Sequence, residues 1–336
     1  MSIQAEAQPA VAFKPRRLGH ANLFVGELER SMHFYNKIAG FEPVFREPHI
    51  PAGFLSNGNT HHDLGLIQIP KGKTVVGRDG HVQIPHGRGL EAGLNHFGWE
   101  MECERDLALA YKRAAAAGLE VHRKVDHQLS HSIYMFDPDG NLHEFYADML
   151  DNWRTVFNSQ EGPAITGNWD PDAGNWLSEG RYHIKFELRR VEDARIHTIR
   201  FTSAVLLTKN FDKMVQFYGE TAGLKVVYRS KDGTYVSFAG PHANHGVDIT
   251  LVKQDRAAKP TVHHYTYEVV SEKEIDAAAR ALAKDGIAIE KKIDGPLKRS
   301  IFVRDPDGML CEFVAPRRLD FAVIEKADAT ERAYLL

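Results

Sequence analysis

The sequence predicts an α+β fold of four β-α-β-β-β modules in two pairs, each pair forming a curved mixed sheet around a cavity. Three observations predict it. HSIYMFDPDGNLHEFYAD at 131–148 returns 168 residues later as RSIFVRDPDGMLCEFVAP. LGHANLFVGELERSMHFYNKIAGF, from Leu18, resembles FTSAVLLTKNFDKMVQFYGETAGL, from Phe201, with the Phe-Tyr and Ala-Gly pairs 183 residues apart. The spans from strand to glycine also repeat: His20 to Gly40 and Ser203 to Gly223 are 20 residues, while His96 to Gly118 and His264 to Gly286 are 22. A fixed internal period marks a repeated structural unit.

Taken in order, MSIQAEAQPAVAFKP at 1–15 lacks a charged start followed by an apolar core, so it reads as a flexible tail and not as a signal peptide. The N-terminal domain follows at 16–150. Its first module opens with strand GHANLFV and helix ELERSMHFYNKIAG, which stops at Gly40. Gly40, Gly118, Gly223 and Gly286 all occupy helix C-cap positions, where a left-handed residue ends the helix. LNHFGWEME at Leu94 matches VHHYTYEVV at Val262 at the shorter offset of 168, so the first half carries 15 extra residues. They are assigned to the Gly-, Pro- and His-rich stretch from Lys71 to Gly93, a long loop suited to border a pocket. Each Asp-Pro-Asp-Gly is a hairpin turn, Pro138 setting φ and Gly140 tolerating a positive one. Residues 151–195 read as a linker, irregular at GPAITGNWDPDAGNW and with a strand expected at YHIKFEL; 196–318 form the C-terminal domain and 319–336 a C-terminal tail.

Bulk composition narrows the function. The 336 residues suffice for two cores, and 26% charged residues nearly cancel to −3 with no basic cluster, which excludes a phosphate backbone or an anionic membrane as the evident partner. Small molecules are the expected ligands. Two lone cysteines, Cys103 and Cys311, have neither metal-type nor redox-type spacing and fit a reducing compartment; no apolar run reaches the length of a membrane helix. A cytoplasmic location is expected.

Strand alternation then sorts the side chains that could carry chemistry. His20 shares a face with Asn22 and Phe24, His96 with Gly98 and Glu100, and Glu144 with Leu142 and Tyr146, leaving His143 on the reverse. If paired modules enclose a concave space, His20, His96 and Glu144 converge from three strands. Two imidazoles and one carboxylate form the facial triad of a non-heme iron(II) site, with open positions for substrate and oxygen. The second-half equivalents are Ser203, His264 and Glu312, so the first donor is missing and one metal is expected, in the N-terminal half. His264 and Glu312 are then hydrogen-bonded relics of the repeat. In HHDLGLIQI, alternation groups His62 with Leu64, Leu66 and Gln68 and turns His61 elsewhere, making His62 the residue that faces the pocket. DHQLSHSIYMFDPDG adds His127, His131 and Tyr134, imidazoles that can shuttle protons and a phenol that can donate to a developing oxyanion.

HHDLGL, LNHFGWE and above all DHQLSHSIYMFDPDGNLHEFY resemble the type I extradiol ring-cleaving dioxygenases of the vicinal oxygen chelate superfamily, over about Leu18 to Pro316. The resemblance implies two vicinal-oxygen-chelate domains, iron(II), or alternatively manganese(II), held by His20, His96 and Glu144, and His62 as the acid–base histidine. His127 and Tyr134 would match the family's supporting histidine and tyrosine. It further implies a catechol-type aromatic diol and O2 as substrates, and a homo-oligomer. Many two-domain members keep the metal in the C-terminal half; here the intact triad is N-terminal. Two other readings compete. A glyoxalase-like isomerase or lyase on the same fold needs a fourth protein ligand, for which Glu100 on the face of His96 is the candidate. A metal-free binding module would have no use for two inward histidines and a glutamate. Trp153, Phe157 and Trp176 are candidates to wall an aromatic pocket.

Overall fold

The computed structural model describes every residue except 1–11, 48, 78–79, 159, 163, 183–186 and 255–260. The first module comprises β1 (Arg17–Val25), α1 (Leu28–His33), β2 (Pro43–Glu47), β3 (Ala52–Leu55) and β4 (Leu64–Gln68). A small hairpin follows, β5 (Val75–Val76) and β6 (Val82–Ile84). The second module is β7 (Gly93–Glu100), α2 (Glu104–Ala116), β8 (Arg123–Asp126), β9 (Ser130–Phe136) and β10 (Leu142–Asp148). The C-terminal half repeats the plan with β11 (Thr198–Thr208), α3 (Phe211–Gln216), β12 (Lys225–Arg229), β13 (Tyr235–Ala239) and β14 (Ile249–Lys253). It closes with β15 (Thr261–Val269), α4 (Glu272–Lys284), β16 (Lys291–Asp294), β17 (Lys298–Arg304), β18 (Leu310–Pro316), α5 (Phe321–Lys326) and α6 (Ala329–Leu335).

The four modules expected from the repeat are present as two curved mixed sheets, ordered β2-β3-β4-β1-β7-β10-β9-β8 and β12-β13-β14-β11-β15-β18-β17-β16. The two modules of each half join through the antiparallel pairs β1–β7 and β11–β15. All four C-cap glycines have positive φ, between 70° and 84°. Helices α1 and α3 each run on through a π-turn, Phe34–Ile38 and Phe217–Thr221, before those glycines. The 15 extra residues form the β5–β6 hairpin where a loop was expected.

One face of each sheet is buried in a shared core. Phe97, Trp99 and Met101 lie there, opposite His96 and Gly98, together with α2 residues Leu107 and Ala108 and second-half residues Phe201, Tyr218 and Tyr267. His143, on the reverse face as expected, is part of this packing: the Trp99 indole donates to its Nδ1 (3.0 Å), and Asp137 lies 3.1 Å from its Nε2. Ala12 and Phe13, assigned to the tail by sequence, are fully buried, and Phe13 stacks on Phe145. Likewise 319–336 is no tail: α5 and α6 pack Ile324, Ala333 and Leu336 into a cluster with Tyr228 and Tyr235. Both changes have one cause, apolar side chains at these ends that find uncovered core faces. Residues 1–11, and 183–186 of the strand expected at YHIKFEL, lie outside the described residues.

The duplicated Asp-Pro-Asp-Gly turns tie the halves together. In each, the first aspartate caps its own turn, Asp137 accepting from Asp139 N and Asn141 N and Asp305 from Asp307 N and Met309 N. The second aspartate reaches the other half: Asp307 accepts from Gly26 N and Arg30 before and within α1, and Asp139 accepts from Asn210 at the start of α3. Asp63 and Asp248 are exchanged the same way, accepting from Phe201 N and Leu18 N, respectively. These reciprocal contacts give the molecule a pseudo-two-fold relation. Among the described residues, no helix is long and apolar enough to cross a membrane.

Candidate metal centre

Strand register builds the centre. Gly98 on β7 stands opposite both His20 on β1 and Glu144 on β10, and Glu144 stands opposite Tyr134 on β9. His20 and Glu144 are therefore two strand spacings apart, about 9.6 Å at the backbone. Gly98, lacking a side chain between them, lets them meet: a Cβ there would lie 2.1 Å from the His20 ring. His20 Nε2 is 2.9 Å from Glu144 Oε2, and His96 Nε2 is 3.0 Å from the same oxygen. The three donor atoms lie within 4.8 Å of one another.

The protonation states suit a cation. Burial, against the opposing pull of Glu144, lowers the His20 pKa to about 4 and also lowers that of His96. Burial pushes Glu144 up, but the neighbouring imidazoles of His127, His20 and His96 outweigh it and hold the carboxyl well below its usual range. Ser132 Oγ also donates to Glu144 Oε1 (2.5 Å). The His96 Nδ1–H donates to Asn95 Oδ1 (2.5 Å), which leaves the lone pair on Nε2. That atom is buried with no hydrogen-bond donor, 3.0 Å from a carboxylate oxygen. A lone pair facing an anion is repulsive unless a cation lies between them. For metal–ligand bonds of about 2.1 Å, donors at right angles are about 3.0 Å apart. The donor set therefore fits a divalent ion.

His62 Nε2–H donates to Asn22 Oδ1 (3.0 Å), its ring lies 4.1 Å from that of His20, and burial holds its pKa well below the ordinary value. Its Nδ1 is buried without a partner. His62 faces the cleft, although not for the reason read from alternation: Leu64 and Leu66 are in the core, and β4 starts only at Leu64. The turn before it presents His61 as well, so His61 also lines the cleft, with Asp148 Oδ1 3.0 Å from its Nδ1. His127 Nδ1–H donates to Ala164 O (2.6 Å), leaving Nε2 to accept from the Tyr134 hydroxyl (2.9 Å). Burial and the nearby Glu144 raise the Tyr134 pKa well above the ordinary phenol value. His131 is not in the cleft; it stacks on Trp169 with Glu104 2.9 Å from its Nδ1.

The cleft encloses about 940 Å³, mouth included, with Phe54, Phe157, Leu129 and Ile84 among its apolar walls. Of the three aromatic candidates only Phe157 lines it; Trp153 is buried behind with Phe45, and Trp176 packs on the main core. Glu100 is engaged elsewhere, 2.9 Å from Arg17 Nε and 3.4 Å from Arg16 Nε. Sequence reasoning missed Asn95, Ser132 and the spacing role of Gly98. A lone glycine within an apolar strand was the available signal for the last.

The second half keeps His264 and Glu312 but differs around them. Ser203 and Thr266 stand where the first half has His20 and Gly98, and Lys298 where it has Ser130. The Lys298 ammonium lies 2.7 Å from Glu312 Oε1, and Thr266 Oγ1 donates to Oε2 (3.2 Å). Burial pushes Glu312 up, but Lys298 and His264 outweigh it and bring it down to about 2. An amine cation neutralises this carboxylate. Among the described residues, the groups of three or more donor side chains close enough to share an ion all lie in the N-terminal half.

A family model described as the glyoxalase/bleomycin resistance protein/dioxygenase superfamily matches residues 17–145 and 195–313. A catechol-2,3-dioxygenase of Bacillus subtilis is 26% identical over 296 residues, covering 86% of this chain and 93% of that protein. A lactoylglutathione lyase of Schizosaccharomyces pombe is 25% identical over 333 residues, covering 89% and 96%. In structure, a 2,3-dioxygenase from a Pseudomonas species shares the fold, with a TM-score of 0.63 at 17% identity over 90% of this chain and 93% of the other.

Proposed function

The chain belongs to the glyoxalase/bleomycin resistance protein/dioxygenase superfamily, and from that premise we propose that it is an extradiol dioxygenase opening the ring of a catechol-type diol. The reaction would use O2 at a single non-heme iron(II), or alternatively manganese(II), in the N-terminal half. The observation that carries this reading is the His20–His96–Glu144 cluster, with the bare His96 lone pair 3.0 Å from the carboxylate and a cleft on one side. His20, His96 and Glu144 would hold such an ion, which would supply Lewis-acid activation of the diol and redox activation of O2.

This chain's residues do the rest. Two neutral imidazoles and one carboxylate leave a divalent ion net positive, which favours an anionic chelating diol. His62, neutral and with its Nδ1 lone pair unpartnered, takes the proton released as the diol binds and returns it as an acid when the ring opens. Tyr134 stays protonated and, oriented by His127, donates a hydrogen bond to the oxygen on which negative charge develops. The apolar walls exclude water around that donor.

The lactoylglutathione lyase relative favours a second reading, a metal-dependent isomerase. The engagement of Glu100 by Arg17 weighs against it, because that carboxylate is then not free to be the fourth ligand such an enzyme needs. Anaerobic iron loading followed by a screen of substituted catechols separates the two. The expected result is a yellow ring-fission product with about one O2 taken up per diol, whereas an isomerase consumes none. His20→Ala abolishes the product and Ser203→Ala leaves it nearly intact; equal loss in both would refute the assignment of the working half.

A further inference from the structure

Two guanidinium groups, those of Arg88 and Arg123, also line the cleft. In the β8–β9 pairing Arg123 is opposite Tyr134, which is itself opposite Glu144, so the row that begins at His20 ends at Arg123. Arg123 lies two strand spacings from Glu144, about 9.6 Å at the backbone. Arg88 enters the same cleft from the inserted segment that only the first half carries. Its Nη2–H donates to Asn95 O (2.8 Å), beside His96, while its Nη1 is buried with no acceptor.

Neither arginine pairs with a carboxylate among the described residues. By contrast, Arg16, Arg17, Arg30, Arg200 and Arg317 are all paired. Both cleft arginines act on the same neighbour: burial first, then Arg123 and Arg88, lower the pKa of His122, which also lines the cleft. Two cationic side chains that line one cleft without a carboxylate partner favour an anionic ligand there. The diol oxygens belong with His20, His96 and Glu144, two strand spacings along the row from Arg123, so they do not supply the anion at Arg123.

Resting on the ring-cleavage reading, we propose that Arg88 and Arg123 bind a carboxylate carried by the aromatic diol, so that the preferred substrate is an acidic catechol. A planar carboxylate matches the guanidinium fork, and the separation of the row suits a carboxylate on the ring or on a short side chain. The insertion then has a specific task, to bring Arg88 into the cleft.

Binding, measured without turnover, tests this. Anaerobic calorimetry on the iron(II)-loaded protein compares 3,4-dihydroxybenzoate and 3,4-dihydroxyphenylacetate with 4-methylcatechol. At least one acid is expected to bind about tenfold or more tighter than the neutral diol. Arg88→Gln and Arg123→Gln are each expected to reduce that acid-to-neutral ratio about tenfold, while Arg123→Lys retains part of it. Thermal melts identify a variant that has simply unfolded, and the wild-type ratio stands independently of the variants. Equal affinities in the wild type, a preference for the neutral diol, no binding of either acid, or an unchanged ratio in both Gln variants would each overturn the proposal. Tight binding of an acid without ring opening in air would refute the dioxygenase reading and leave the arginine subsite standing.

Discussion

At the scale of single residues, the centre depends on an absence. Gly98 occupies the middle of a three-strand row, and only a residue without Cβ lets His20 and Glu144 meet above it. Gly98→Ala forces the His20 ring to move, at a cost typical of overpacking, about 1–3 kcal/mol. The expected outcome is a folded protein whose affinity for iron(II) or manganese(II) falls about 10–100-fold, read by metal titration alongside a thermal melt. Unchanged metal affinity would mean that His20 is not a ligand. His20, His96 and Glu144 were legible as same-face residues because strand alternation holds within β1, β7 and β10. His61 was misplaced because alternation ends where the strand ends, and residues 61–63 precede β4.

At the scale of elements, the duplicated turn matters for what it touches. Asp307 sits in a β17–β18 hairpin, yet its carboxylate accepts from Gly26 N (3.0 Å) and Ser31 Oγ (3.3 Å) and pairs with Arg30 (2.7 Å) in the opposite half. Asp307→Ala is expected to destabilise the fold by about 1–2 kcal/mol, the range of a lost helix-end cap, as measured by urea unfolding. Among the described residues its counterpart Asp139 makes one side-chain hydrogen bond across, from Asn210, so Asp139→Ala should cost less. The turn itself was legible from Pro and Gly. Its cross-half partner was not, because a side chain's remote neighbour leaves no periodic trace.

For the whole molecule, the exchanged aspartates make the union of the halves pH-dependent. Burial raises Asp63 from 3.8 to about 6 and Asp248 from 3.8 to about 7. A raised folded-state pKa means that the folded chain keeps a proton the unfolded chain has already released. This stability is whole below pH about 4 and is lost as pH climbs through 6 and 7, on the order of 3–4 kcal/mol per group. Urea unfolding from pH 4.5 to 8 should therefore show stability falling over this window. Asp248→Asn, which cannot ionise, should flatten part of that slope whatever constant offset its altered hydrogen bonding adds. A parallel slope in the variant would mean that Asp248 does not titrate there.

The sequence alone determined the repeat, the module plan and the facing of β1, β7 and β10, because all three follow from local periodicities of the chain. It also singled out the half with an intact donor set, since Ser203 cannot replace an imidazole. Only the tertiary structure decided what crosses between elements: the meeting of His20 and Glu144 over Gly98, the burial of Phe13 and Ile324 in segments taken for tails, and Lys298 set against Glu312. It also decided where Arg88 and Arg123 stand. Contacts of this kind depend on distances between remote strands, which are set when two sheets pack and not by any residue's neighbours along the chain.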